Sequence, residues 1–562
     1  MRLCSLPATA RCVARRQQPI PLLLVRNNTA TRSVRGDITT RVWGPRRGER
    51  GLLTLAIETS CDDTCVAVLD KSDSGPTARL LFNKKVTSDH REFGGVLPTV
   101  ASASHVGHLA PLVKEALRSL PEITSQQQNQ GRPDRVLDVA GVARRKPDFV
   151  SVTRGPGMVS SLSMGLMAAK GLAVAWDVPL MAVNHMQAHA LTPRLVGALE
   201  EDQNNSSSDG DSRYSPTFPF LTLLVSGGHT QLVLSRSVTS HSILANADDI
   251  AIGDLLDKSA REILPDHVKA QASNVMYGAM LERFAYPDAP LSSPSSSLQP
   301  LPPYNYEFYQ PPLKREHEVQ PFEFATNKKN WIIEAPLRKS RRMEYNLTSL
   351  GSQVRGIARE LAPDDVEQRR LLARALMKLA FEHLASRIIF ALDSLNSDAN
   401  VAPPEWMHKK QRIMSKTKEG VLSRLTPTIT PTGNNNSNNN SSNNSNKDPQ
   451  ELDREHKKAR TLVVSGGVAS NRFLRHVLRR VLDVRGYGDV NIVAPPPVLC
   501  TDNAAMIAWT AAEMWEAGYR SDLDVLALRK WSIDPHSESA EEHKGILGVD
   551  GWLNVKDGGK AV

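Results

Sequence analysis

Three times along this chain an apolar run ends in a turn of small or hydroxylated residues. Leu52–Ile57 leads into Glu58-Thr-Ser-Cys-Asp-Asp-Thr64, and Cys65–Leu69 returns from it. Phe220–Val225 leads into Ser226-Gly-Gly-His-Thr230, and Gln231–Leu234 returns. Arg460-Thr-Leu-Val-Val-Ser-Gly-Gly-Val468 repeats the opening of the pattern, followed by a helix expected from about Ser470. Short apolar runs bounded by such turns read as buried strands. Paired glycines at a strand end let backbone N–H groups approach a phosphate with no side chain in the way. The recurrence predicts a duplicated α/β fold that holds a nucleotide between its halves. The Glu58–Thr64 turn suits a phosphate, a cation or a water, and a plain hairpin turn is the simpler alternative.

A second feature sits between the repeats. Asn184-His-Met-Gln-Ala-His189 follows the apolar run Pro179–Val183. That run reads as a strand and Asn184 as a helix cap, so His185 and His189 fall in the first turns of a helix. Side chains four apart share one helical face, where two imidazoles can grip one metal ion. Surface or packing histidines would give the same spacing. No glutamate follows the first histidine, so the metalloprotease pattern H-E-x-x-H is absent. A metal needs a further ligand, and Asp502, at a loop-to-helix junction, is the candidate; a capping role is its alternative. Two histidines, one carboxylate and open positions are the plan of a catalytic metal rather than a structural one.

The first 50 residues hold eleven arginines, no lysine and only two acids, Asp37 and Glu49. This reads as a mitochondrial transit peptide, with a nucleic-acid-binding arm as the alternative. Without it Lys+Arg falls from 69 to 58 and Asp+Glu from 60 to 58, so the net charge of +9 drops to 0. Any nucleic-acid site must then be a local patch. Arg338-Lys-Ser-Arg-Arg342 and the run from Arg472 to Arg485 are candidates, each equally readable as a solvated basic face. Cys61, Cys65 and Cys500 are too few for a disulfide framework and read as small buried residues. No apolar run approaches the ~18–20 residues of a membrane span.

Residues 51–195 are expected to form the first half and 217–540 the second, with an acidic insertion at 196–216 and a tail at 541–562. Low-complexity insertions near 288–320 and 398–456 cannot bury a core and are expected to be loose, and residues 124–147 read as a surface insertion. Helices are expected over 99–118, from about Val159 to Trp176 and over 366–396. His105 and His108 on the first of these read as packing or surface residues. Arg154-Gly-Pro-Gly157 suits either an anion or a close strand-to-helix connection.

Taken in order, these stretches resemble the tRNA threonylcarbamoyladenosine transferase family, once mislabelled glycoprotease. The carriers are Ile57-Glu-Thr-Ser-Cys-Asp-Asp-Thr64, Gly94-Gly-Val-Leu-Pro98, Gly155-Pro-Gly157, Ala175-Trp-Asp-Val-Pro179, His185-Met-Gln-Ala-His189, Leu224-Val-Ser-Gly-Gly-His-Thr-Gln231, Asp257-Lys258, Ser465-Gly-Gly-Val-Ala-Ser-Asn471 and Thr501-Asp-Asn-Ala-Ala505. The resemblance implies an actin/Hsp70/sugar-kinase-like (ASKHA) fold of two RNase-H-like halves with a central cleft. It implies transfer of a threonylcarbamoyl group from threonylcarbamoyl-AMP to N6 of adenosine 37 in tRNAs reading codons that begin with A. The metal ligands carried over are His185, His189 and Asp502, for one divalent ion, zinc or iron. Substrate contacts fall on Val225, Ser226, Gly227, Gly228, His229, Asp257 and Asn471. The family's Gly-Gly-Pro turn is reduced to Tyr277-Gly278-Ala279, with Gly278 its equivalent. Its Phe-Ser-Gly-Leu-Lys segment is degraded to Leu347-Thr-Ser-Leu-Gly351, and Thr99 stands where a glutamate is usual.

The adenosine amine is a poor nucleophile, so positioning must supply much of the rate. Asp62 or Asp63 is expected to orient that amine or take its proton. The leader points to the mitochondrial matrix, and the resemblance implies a homodimer with no membrane partner. Two rivals are a kinase or ATPase on the same fold, which would not need the histidines, and a catalytically impaired tRNA-binding or assembly protein.

Overall fold

The first half is built outward from β1 (Leu52–Glu58), six of whose seven residues are buried. Beside it stand β2 (Asp63–Lys71) and β3 (Ala78–Thr87), each antiparallel to its neighbour. A separate hairpin, β4 (Val136–Val139) and β5 (Val142–Arg145), intervenes in sequence. It lies within residues 124–147, which were expected to be a surface insertion. Then β6 (Phe149–Gly155) and β7 (Leu180–Asn184) add to β1 in parallel, giving a five-stranded sheet of order β3-β2-β1-β6-β7. β6 and β7 are buried throughout, as strands covered on both faces are.

Alternation along β1 sends Leu53, Leu55 and Ile57 to one face, where α1 (Pro98–Leu117) contributes Leu109 and Leu112 and α2 (Val159–Trp176) contributes Leu166 and Ala169. The other face carries Ala56, Cys65, Met181 and Val183 and receives α3 (His185–Glu201) through Ala188 and Leu191. By length and composition α2 alone among the described helices could cross a membrane, which corrects the sequence expectation; its inner face packs on the sheet.

The second half repeats the plan. β8 (Phe220–Val225), β9 (Thr230–Ser235) and β10 (His241–Ala247) run antiparallel in turn. α4 (Ile252–Ile263) and α5 (Gly278–Ala285) follow, then the hairpin β11 (Phe322–Ala325) and β12 (Asn330–Ile333), and the edge strand β13 (Glu344–Tyr345). α6 (Thr348–Glu360) and the long α7 (Val366–Asn396) precede β14 (Thr461–Ser465), α8 (Arg472–Val484) and β15 (Asn491–Val493). The sheet order is β13-β10-β9-β8-β14-β15, with β14 parallel to β8 and β15 parallel to β14. Apart from the extra edge strand this is the order and direction of the first sheet, so the duplication read from the turns is present. The last helix, α9 (Ala504–Ala517), follows β15 but packs back on the first sheet, with Trp509 fully buried.

The computed structural model describes residues 51–534 apart from 73–74, 76, 94, 125–134, 202–214, 272–276, 288–305, 307–308, 326–328 and 397–458, together with 553–554 and 560–561. The expected transit peptide, most of the acidic insertion, the 398–456 insertion and most of the tail lie outside these residues. The low-complexity insertion near 288–320 departs from expectation toward its end. Tyr306 and Tyr309 are buried there, with ring centroids 5.1 and 5.6 Å from that of Phe473 in α8. Their hydroxyls donate to Glu282 and Glu382 at 3.1 and 3.0 Å, which lets two phenols enter a core.

The two repeats of the Ser-Gly-Gly turn meet at Gly466. Its φ is +99°, and a Cβ there would lie 2.4 Å from the Val225 carbonyl oxygen. Gly466→Ala is expected to destabilise the chain by about 2 kcal/mol, from a left-handed backbone and a clash with main chain. A urea unfolding midpoint equal to wild type would show that this close approach is not required.

Candidate metal centre

The side chain of Asn184 caps α3, accepting from the N–H groups of Met186 at 2.9 Å and Gln187 at 3.1 Å. The helix therefore begins at His185, and His185 and His189 lie one turn apart on its buried side, with ring centroids separated by 4.6 Å. Asp502 faces them: its Oδ1 is 3.1 Å from His189 Nε2 and 3.6 Å from His185 Nε2. One ligand atom from each residue falls within 4.8 Å of the others. Asp502 does not cap the helix after it. Asn503 does, accepting from Met506 N at 3.0 Å, which leaves the aspartate to the histidines.

Glu58, at the end of β1, completes the pocket and was not singled out from sequence. Its carboxylate accepts from Ser60 N at 2.5 Å and from the Thr153 hydroxyl, and lies 3.2 Å from His185 Nδ1. A carboxylate on Nδ1 fixes the imidazole so that Nε2 points at the site. Burial disfavours a charged imidazole, yet the carboxylates of Asp502 and Glu58 overcome it and hold His185 up to about 9. The same His185 charge overcomes burial to keep Asp502 well below the usual carboxylate range and to lower Glu58. His189 is lowered, by burial and by its charged neighbour. The carboxylates thus favour positive charge at His185, while burial and that charge disfavour it at His189. His189 Nδ1, buried, has no hydrogen-bond partner among the described residues, and the donor set of two imidazoles and one carboxylate suits zinc or iron. These residues fit a divalent ion.

The Glu58–Thr64 turn lies beside this centre. Asp63 accepts from Lys85 Nζ at 3.0 Å and from Thr87 Oγ1 at 2.5 Å, and burial pushes its carboxyl up to about 6 against their pull. Lys85 also donates to Thr501 Oγ1 at 3.0 Å, next to Asp502 in sequence. Asp62 is buried, and its carbonyl accepts from Ser88 N at 3.0 Å. His105 supports the turn from α1, 2.8 Å from Thr64 Oγ1 and 3.0 Å from the Cys61 carbonyl, while His108 is exposed. Arg154–Gly157 proves a close connection: Cβ atoms at Gly155 and Gly157 would lie 2.3 Å from Leu528 O and 2.5 Å from Ser60 O.

From the second half, the turn after Val225 faces the histidines. Ser226 Oγ accepts from Gly228 N at 3.3 Å and His229 N at 3.0 Å, and Ser226 O accepts from Gly253 N at 3.1 Å. His229 is pushed down to about 4 by burial and by the charge of His185 and His189. Cβ atoms at Gly227, Gly228 and Gly467 would meet nothing within 4 Å, so packing does not require glycine there. Asn471 caps α8, accepting from Leu474 N at 2.9 Å, and among the described residues its amide nitrogen has only the Met377 sulfur, at 3.9 Å. The neighbouring N–H groups of Arg472 and Phe473 are taken by Glu282 at 2.8 and 3.0 Å, so this helix terminus is not an open anion site. Asp257 accepts from Gly278 N at 2.6 Å, joining two residues expected to act together.

Replacing Glu58 with glutamine keeps the shape but removes the charge on His185 Nδ1. Affinity for zinc, measured by chelator competition, is expected to fall about 10- to 100-fold. Unchanged affinity would show that Glu58 does not tune the ligand.

The sequence profile described as TsaD, tRNA N6-adenosine threonylcarbamoyltransferase, matches residues 120–299 and 438–509. The mitochondrial tRNA N6-adenosine threonylcarbamoyltransferase of Schizosaccharomyces pombe is 31% identical over 516 residues, covering 90% of both chains. The Brucella abortus tRNA N6-adenosine threonylcarbamoyltransferase is 28% identical over 485 residues, covering 86% of this chain and 96% of its own. Among solved structures, YeaZ from Pseudomonas aeruginosa shares 14% identity with a TM-score of 0.18, covering 34% of this chain and 66% of its own, and at that score bears on nothing here. By its identity with relatives along nearly their whole length, this chain is an enzyme of the tRNA N6-adenosine threonylcarbamoyltransferase family.

Proposed function

We propose that this enzyme transfers a threonylcarbamoyl group from threonylcarbamoyl-AMP to N6 of adenosine 37 in mitochondrial tRNAs reading codons that begin with A. The observation that carries the reading is the His185/His189/Asp502 cluster, whose ligand atoms lie within 4.8 Å of one another, beside a glycine turn with open space before it. His185, His189 and Asp502 would hold a divalent ion, zinc or iron, which would supply Lewis-acid polarisation of the donor's carbonyl and offset charge on the leaving phosphate.

The chain's own residues do the rest. Glu58 holds the His185 ring in place. Gly227, Gly228 and Gly467 keep side chains out of the space a phosphate would take, and Ser226 fixes the turn that presents their backbone. Val225 anchors that turn against Gly466. The Asn471 amide, Asp257 and Gly278 line the second half's side of the nucleotide. Asp62 or Asp63 is assigned to orienting the adenosine amine or taking its proton, with Asp63 steadied by Lys85. The base must leave its stack to reach such a cleft.

We assign the enzyme to the mitochondrial matrix, on the arginine-rich leader and on the mitochondrial relative. We further assign it to a homodimer that joins through the outer faces of α1 and α2. Val106, Met167 and Val174 there are 67%, 66% and 65% exposed, and the one charge on α2, Lys170, is turned away to the Val525 carbonyl. An apolar stripe of this kind is an interface feature.

Two measurements test this. Residues 51–562, given threonylcarbamoyl-AMP and unmodified mitochondrial tRNA, are expected to yield threonylcarbamoyladenosine by mass spectrometry. The His185→Ala/His189→Ala variant is expected to yield none; product from it would remove the metal centre from the reaction. Met167→Glu is expected to convert a dimer to a monomer in light scattering, and a dimer that survives it lies elsewhere.

A further inference from the structure

The basic run at 338–342 is a rigid display of cations. Leu337 adopts a left-handed φ of +46°, and its carbonyl accepts from Ser340 N at 3.0 Å, closing a turn. The Ser340 hydroxyl accepts from Arg342 N at 3.2 Å. From beneath, Arg315 donates to the carbonyls of Leu337 and Ser340 at 3.2 and 3.3 Å. Arg315 is itself held by Glu318 at 2.8 Å and Ser386 at 3.0 Å. The turn's backbone is thus tied inward, and Arg338, Lys339, Arg341 and Arg342 are all exposed.

Charge behind the turn adds to it. The guanidinium groups of Arg315, Arg341 and Arg387 lie 5.5, 5.7 and 5.7 Å from the ring of Phe390. Arg387 is fully buried, and its Nη2 has no partner among the described residues. The carboxylates these cations reach are few. Glu318 is shared between Arg315 and Arg485, while Glu334 and Glu344 pair with Arg338 and Arg342 at the surface, where such pairs contribute little. Holding like charges together on a fixed turn costs free energy unless a polyanion offsets it. The chain beyond its first 50 residues has no net charge, so the patch is a local excess. The run at 472–485 is different. Arg479 is turned onto Asp483 and the Val490 and Tyr487 carbonyls, and Arg485 onto Glu318.

We propose that the Arg338–Arg342 turn docks the phosphate backbone of the tRNA, reading charge and not sequence. This rests on the tRNA-modifying function proposed above. The turn leads into β13, whose Glu344 and Tyr345 pair with Asn246 and Ala247 at the end of β10. β10 in turn feeds α4, whose Gly253 abuts the Ser226 turn. A backbone bound there is held to the same half as the glycine turn.

The test uses the full chain and a variant with Arg338, Lys339, Arg341 and Arg342 each replaced by glutamine, titrated with unmodified mitochondrial tRNA over a range of KCl. The slope of log affinity against log salt is expected to shrink by about 1 for each phosphate that these side chains neutralise, about 2 to 4 in all. KM for tRNA should rise while kcat at saturation, zinc content and melting temperature stay at wild-type values. A Lys339→Glu/Arg341→Glu pair should weaken binding further per residue changed. Wild-type slope and affinity in both variants would overturn the docking surface while leaving the function standing. A wild-type protein that binds no tRNA would sink both. Binding to anionic phosphatidylserine vesicles that the variant loses, with tRNA binding intact, would assign the patch to a membrane surface and refute the proposal.

Discussion

His185 is held between two carboxylates, and the arrangement of the site follows from that. Glu58 takes one ring nitrogen and Asp502 faces the other. Removing three charged groups from water is expensive, and only their mutual attraction with good geometry offsets it. That requires three distant segments to be fixed to within fractions of an ångström: the end of β1, the start of α3 and the loop before α9. The Asn184 cap fixes the second, and the burial of α9 against the first sheet fixes the third. The chain must therefore leave the second sheet and return to the first before the centre exists. Cys65 marks the return, its thiol 3.7 Å from the Asp502 carbonyl.

The second half contributes space more than charge. Glycine serves two ends there, and the structure separates them. Gly253 and Gly466 are glycine because backbone passes where a Cβ would be. Gly227, Gly228 and Gly467 are glycine although nothing of the protein fills that volume. Gly466 brings the two Ser-Gly-Gly turns together and Gly253 seats α4 on the first of them, while the second set keeps the resulting surface bare. One sequence pattern thus encodes an internal contact and an external one, which is why motif counting alone could not say which glycine did which.

The same division explains what was legible in the sequence. His185 and His189 could be read because helical spacing brings them together locally, and Asp502 because it closed an ordered series of turns. Glu58 could not: it looks like one acid of a polar turn, and its partners Thr153 and His185 lie 95 and 127 residues away. Capping was the alternative reading of Asp502, and only the fold shows that Asn503 caps α9 instead. The hairpin β4–β5 and the buried Tyr306 and Tyr309 were hidden by low-complexity neighbours, since composition averages over a window and burial is decided residue by residue. The outer stripe of α2 escaped because interruption by Ser163 and Lys170 breaks the apolar run without breaking the exposed face.

Charge is organised on two scales. Within the centre, opposite charges are grouped closely, Glu58 and His185 buried and Asp502 partly so, where salt screens them little and their role is to fix geometry. At the 338–342 turn, like charges are spread over an exposed surface, where screening over about 8 Å at physiological salt governs what they attract. A small anion can be held by a few charges grouped at one point of a cleft. A long polyanion cannot be enclosed, and its recognition has to be shared among several weak, salt-sensitive contacts on a surface already immobilised. Arg315 supplies that immobility by binding carbonyls that the turn would otherwise offer to water. The order in the turn is fixed by the folded chain before any partner arrives, which leaves less entropy to lose on binding.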